Sequence, residues 1–236
     1  MFTRHLFVAA LITSGALVTG CKATATSAPP VVSKSLQKST TPDAALASLM
    51  AGNARFVSGR SYQRDFPADV AVSAKGQYPT AVVLSCIDSR TSPEIIFDQG
   101  VGEIFAPRIA GNFANTDIIG SMEFATAVVG SKLILVVGHT ECGAIMGAAD
   151  KVRLGNLTSV IEAIELAAAD VMNVSGDRNS KNRQFVNDLT VANVRRTVAQ
   201  IRSRSEIISK LESEGKVKIV GAMYDIGSGK VTLVDR

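Results

Sequence analysis

Short, unbroken apolar runs that alternate with helical patterns constrain this chain more than any other feature. Ala81-Val82-Val83-Leu84 is one such run; others follow at Ile104–Ala106, Leu133–Val137 and Val217–Met223, with a weaker one at Val231–Val234. Runs of this length suit strands buried on both faces, the mark of a parallel sheet. Helical patterns fill the gaps. Ser92-Pro93-Glu94 opens a short helix and Thr116 to Val129 reads as another. Val160, Ile161, Ile164 and Ala168 line one face of a third, and Val191, Val194, Val198 and Ile201 do the same for a fourth. Upstream, Thr41 caps a helix with Pro42 in its first turn and Ala45, Leu46, Leu49 and Met50 at helical spacing. The expected fold is therefore α/β, a mainly parallel β-sheet flanked by helices. No boundary or repeat follows, so residues 43–236 are read as one domain. Sites in such folds gather at the carboxyl ends of the strands.

The N-terminus reads as a processing segment. Arg4 and His5 precede a mostly apolar stretch from Leu6 to Val18, which leads into Val18-Thr19-Gly20-Cys21. Small residues directly before a Cys resemble the lipobox of bacterial lipoproteins, where the signal is cut before the Cys and that Cys is lipidated. A plain secretory signal with an incidental Cys is the alternative. Residues 1–20 are thus expected to be a lipoprotein signal peptide, and 21–42 a lipidated Cys21 with a flexible Ala/Ser/Thr/Pro/Lys tether. The expected location is exported and lipid-anchored, periplasmic or at the cell surface, without spanning the membrane. Lys22 follows the Cys where the best-known inner-membrane retention signal has Asp.

Other classes are excluded. The body holds no apolar span of about 20 residues, so it is not an integral membrane protein. Lys plus Arg number 25 against 21 for Asp plus Glu, too even a balance to imply nucleic acid. Arg195, Arg196, Arg202 and Arg204 scatter around their helix instead of forming a stripe.

Two motifs stand where strands end: Cys86-Ile87-Asp88-Ser89-Arg90, and Gly138-His139-Thr140-Glu141-Cys142-Gly143. In an extended segment Cys86 and Asp88 point to the same side. His139 and Cys142, three apart, would share a face of a helix starting there. Two thiolates, an imidazole and a carboxylate from two loops make a ligand set suited to zinc, and one poorly suited to magnesium or calcium. A Cys86–Cys142 disulfide is the competing reading in an exported protein; it leaves Asp88, Arg90 and His139 without roles. Cys86 and Arg90 are too close together for a phosphatase loop.

Around these motifs the chain resembles a β-class carbonic anhydrase from about Ala44 to Val234. Pro93-Glu94, Phe97-Asp98-Gln99-Gly100, Arg108-Ile109-Ala110-Gly111-Asn112 and Gly120-Ser121-Met122-Glu123-Phe124-Ala125 extend the match. The resemblance implies reversible hydration of CO2 to bicarbonate and a proton by zinc-bound hydroxide, with one Zn2+ per chain. It implies Cys86, His139 and Cys142 as metal ligands. Asp88 is either a fourth ligand or swings away to pair with Arg90, and both act in catalysis. Gln77, Phe105, Phe124 and Gly143 are the implied substrate-binding residues, with Ala110 where a plant-like branch has a larger aliphatic. The absence of Trp favours that branch, with its open site, over the branch with a bicarbonate inhibitory site. Glu141 takes no role. The resemblance further implies a homodimer or a dimer of dimers. Two rivals share the ligand set: a zinc enzyme acting on a related molecule such as carbon disulfide, and a noncatalytic lipoprotein that keeps zinc or a disulfide for stability.

Overall fold

A computed structural model describes residues 26–234. The expected signal peptide and Cys21 lie outside these residues. In chain order the elements are α1 (Lys34–Ser39), α2 (Pro42–Val57), α3 (Phe66–Ser73), β1 (Ala81–Ser85), α4 (Pro93–Ile96), β2 (Ile104–Phe105), α5 (Thr116–Glu123), β3 (Leu133–His139), α6 (Gly143–Ala149), α7 (Leu157–Glu165), α8 (Arg183–Arg204), α9 (Glu206–Ser213), β4 (Lys218–Tyr224) and β5 (Val231–Val234).

The strands form one sheet in the order β2-β1-β3-β4-β5. All neighbours are parallel except β4 and β5, which run antiparallel. Every residue of β1 and β3 is buried, as unbroken apolar runs require. The pleat divides them between two faces. Val82, Leu84, Ile134 and Val136 pack with Ile119 and Met122 of α5, Val194, Val198 and Ile201 of α8, and Ile208 of α9. On the opposite face Ala81, Val83, Leu133, Leu135 and Val137 meet Ala45 and Leu49 of α2 with Ile96 and Phe97. A third cluster caps the carboxyl end of the sheet. It joins Cys86 and Cys142 to Ile145 of α6, Ile161 and Ile164 of α7, and Phe185 and Leu189 of α8.

The α/β expectation holds, with local differences. Residues 26–42 are not simply a tether, because Ser27 forms a parallel bridge with Gln63 and α1 follows. What holds α1 is polar, and so leaves no apolar pattern: the Ser33 hydroxyl accepts from Leu36 N–H, and the buried Gln37 donates to the Pro79 carbonyl at 2.8 Å. The helix expected over Thr116–Val129 is α-helical only to Glu123. It widens into a π turn over Phe124–Val129 and stops at Gly130, whose φ is 97°. Strand β2 ends at Phe105, one residue short of the expected run, and β4 extends one residue beyond it to Tyr224. The α8 arginines tie into their surroundings, Arg202 to Glu212 at 2.7 Å and Arg204 to the Ala114 carbonyl.

Candidate metal centre and active site

The two motifs meet at the carboxyl end of β1 and β3, which pair along Ser85 and Val137. Beyond Ser85 the chain turns out of the sheet, and Arg108 clamps the turn. Its guanidinium donates to the carbonyls of Cys86 at 2.9 Å and Asp88 at 2.6 Å. The Thr91 hydroxyl donates to the same two carbonyls. With these two carbonyls held, the turn can keep the buried Cys86 in one orientation.

Strand β3 carries its own register through His139, which pairs with Tyr224 of β4. The imidazole Nδ1 lies 2.9 Å from the Thr140 carbonyl. A carbonyl can only accept, so Nδ1 carries the proton and Nε2 is left with a lone pair. Glu141 then takes a left-handed turn, φ 56°, and Cys142 follows as the N-cap of α6.

The outcome is a buried group of three donors, Cys86, His139 and Cys142, whose ligand atoms all lie within 4.8 Å of one another. His139 Nε2 is buried without a hydrogen-bond partner, a costly arrangement unless a ligand meets it. The sulfurs stand 4.0 Å apart and both cysteines are free, so the disulfide reading is not the arrangement seen. The thiols are coupled. Cys86 titrates far below an ordinary thiol, chiefly through the hydrogen bond from Cys142, with the Gly111 N–H adding to it against the opposing effect of burial. Cys142 is pushed upward by Cys86 and by burial. One thiolate and one thiol therefore share a proton that a cation would displace. Two soft sulfurs and one imidazole nitrogen, with a further position open, fit zinc.

Asp88 stays outside this group. Its carboxylate takes a bidentate pair from Arg90, at 2.9 and 2.7 Å, together with the Arg90 backbone N–H at 2.9 Å. Arg90 thereby holds Asp88 well below the usual carboxylate range. Its Oδ2 lies 3.9 Å from His139 Nε2. Of the two arrangements expected for Asp88, this is the one paired with Arg90.

A cavity of about 350 Å3 opens against Cys86, Ile87 and Asp88, with Ala110 and Gly143 among its walls. Gly143 is thus brought to the site as expected. Gln77, Phe105 and Phe124 are not. Gln77 is exposed, and the two rings pack edge to face at 6.2 Å in a separate cavity with Val82 and Ala106.

Sequence reasoning missed Asn193. This buried α8 side chain donates to the Gly111 carbonyl at 2.7 Å, and the Gly111 N–H donates to Cys86 Sγ at 3.4 Å. Its only signal was a polar residue beside the apolar stripe of α8.

The family profile described as carbonic anhydrase matches residues 81–231. Carbonic anhydrase 2 of Mycobacterium tuberculosis is 38% identical over 83% of this chain and 94% of its own length. The carbonic anhydrase of Mycolicibacterium smegmatis is 35% identical over 81% and 93%. Among solved structures, the β-carbonic anhydrase CafA of Aspergillus fumigatus superposes with a TM-score of 0.64 at 23% identity, over 80% of this chain and 90% of that one. A Coccomyxa β-carbonic anhydrase does so at 0.62 and 22%, over 81% and 86%. With the ligand set, the sheet and these relatives in agreement, the chain belongs to the carbonic anhydrase family and has the β-class fold.

Proposed function

We propose that this chain interconverts CO2 and bicarbonate with release or uptake of a proton, at a centre where Cys86, His139 and Cys142 would hold one zinc ion. The observation that carries the reading is the buried three-donor group with Asp88 turned aside onto Arg90. Zinc supplies Lewis acidity that yields hydroxide from water near neutral pH. The chain's own residues do the rest. Arg90 keeps Asp88 ionised and fixes both carboxylate oxygens, so Asp88 can accept a hydrogen bond from the attacking oxygen and orient it. Gly143 lines the same cavity, and the apolar walls suit an uncharged gas.

The Asp88–Arg90 pair supports a site that is open at rest, as in the plant-like branch, and the lack of Trp supports the same. A homodimer or dimer of dimers follows from the family resemblance. The exposed Phe124 and the position of Phe105 and Gln77 away from their own chain's cavity support a partner subunit that uses them. Two Sordaria macrospora β-carbonic anhydrases of this fold are described as tetrameric. The lipobox-like Val18-Thr19-Gly20-Cys21 supports export and a lipid anchor on Cys21.

The test is stopped-flow CO2 hydration at about pH 7 and about pH 8.5, with zinc measured on the same sample. Chelator-sensitive activity with one zinc per chain is expected, at comparable rates if the site is open. Zinc without activity would refute the reaction, and protein that takes up no zinc would refute the centre. Labelling with a fatty acid that is lost in Cys21→Ala tests the anchor.

A further inference from the structure

The cavity beside Cys86 does not end at the reacting centre. It continues between α6 and α7, where Ala144, Gly147, Val152, Leu157 and Ile161 line it. Apart from Cys86 and Asp88 at the inner end, every lining side chain is apolar. At the Cys86 end Ile87 is 61% exposed, and the far end also meets solvent, Val152 and Leu157 being each 37% exposed. Helix α6 is built small on this side. A Cβ at Gly143 would meet nothing within 4 Å, and one at Gly147 would come 3.0 Å from Ile161 Cδ1. A larger residue at either position would fill or crowd the passage.

We propose that this passage between α6 and α7 is an access channel that binds and delivers a small, neutral, apolar molecule to the Cys86 end. On the reaction proposed above, that molecule is CO2. The channel runs within one chain, and none of its walls is Gln77, Phe105 or Phe124. Its chemistry discriminates between the two carbon species. Bicarbonate would have to give up hydration that the apolar side chains cannot replace, whereas CO2 has little hydration to lose. The ion has a polar alternative at Arg90, whose side chain is 52% exposed on the Asp88 side. The channel therefore serves the gas and the Arg90 side serves the ion. The volume is ample: an apolar cavity of about 150 Å3 already admits benzene or xenon.

Two measurements on the zinc-loaded protein test this. In crystals pressurised with xenon, a xenon atom is expected between Gly147 and Leu157; its absence would overturn the channel. Leu157→Trp and Val152→Trp place bulk at the half-exposed mouth, away from the ligands. Each should lower kcat/KM for CO2 by roughly tenfold, the scale of one misfit group in an apolar pocket, with kcat and zinc content kept. An unchanged kcat/KM, or equal losses in kcat and kcat/KM, would overturn the proposal. A wild-type protein that fails to hydrate CO2 would refute the reaction instead, and the xenon result would still decide whether the passage binds apolar gas.

Discussion

Gly111→Ala probes how the backbone holds the centre. Gly111 has φ 73°, a conformation that costs an L-residue about 1–2 kcal/mol. The added Cβ would also fall well inside van der Waals contact of Ile164 Cδ1, with Cγ1 at 3.1 Å. Overpacking of this kind costs about 1–3 kcal/mol. Together these predict a loss of about 2–5 kcal/mol. The strain lands on the segment whose N–H reaches Cys86 Sγ, so zinc affinity should fall as well. The two contributions can be separated. Ile164→Val deletes Cδ1 and by itself costs about 0.5–1.5 kcal/mol. In that background Gly111→Ala should cost about 1–3 kcal/mol less, because the backbone penalty remains while most of the overlap is relieved. The assay is urea denaturation of the four proteins after chelation, repeated with zinc bound. Wild-type stability in Gly111→Ala, or an identical cost in both backgrounds, would refute the reasoning.

Asn193→Ala should weaken zinc binding by about ten- to a hundredfold, the usual effect of removing a group that supports a ligand, while the fold survives. Competition with a chromophoric chelator reads this, and unchanged affinity would show that Gly111 needs no help from α8. Arg90→Gln should flatten an acid limb. Asp88 titrates below its unfolded value because of Arg90, so its contribution to stability is present above the unfolded carboxyl pKa and lost as pH falls through the folded one. Without Arg90 the folded and unfolded values draw together, so this part of the fall in melting temperature below the unfolded carboxyl pKa should shrink, and superimposable profiles would contradict it. Chelated protein treated with oxidised glutathione should form a Cys86–Cys142 disulfide, since the sulfurs need to close only from 4.0 Å to about 2.05 Å. Intact-mass analysis finding only free thiols would count against it.

Much of this architecture was legible because it depends on apolar runs and on residues with few chemical uses. The runs at Ala81–Leu84 and Leu133–Val137 are buried on both faces of the sheet, and such strands show little else in sequence. Cys86, His139 and Cys142 were legible because thiols and an imidazole after strands have few bland explanations as a set. What stayed hidden depends on single polar contacts between distant segments. Gln37 docks α1 through one hydrogen bond to Pro79, and Asn193 reaches Gly111 across 82 residues. Neither leaves a periodicity. The π turn after Glu123 was equally invisible, because widening a helix by one residue per turn barely alters its apolar pattern.

The bridge between Ser27 and Gln63 sets the length of a leash. From Cys21 to Thr26, whose carbonyl accepts the Gln63 N–H at 3.0 Å, there are only five residue steps, about 18 Å fully stretched. A free tether reaching residue 42 would allow about 70 Å. With the lipid on Cys21 proposed above, the catalytic domain would be moored against the lipid headgroups instead of sweeping a broad volume. It would then meet CO2 where the gas leaves the bilayer, and discharge bicarbonate, which does not readily cross, on the side where it forms.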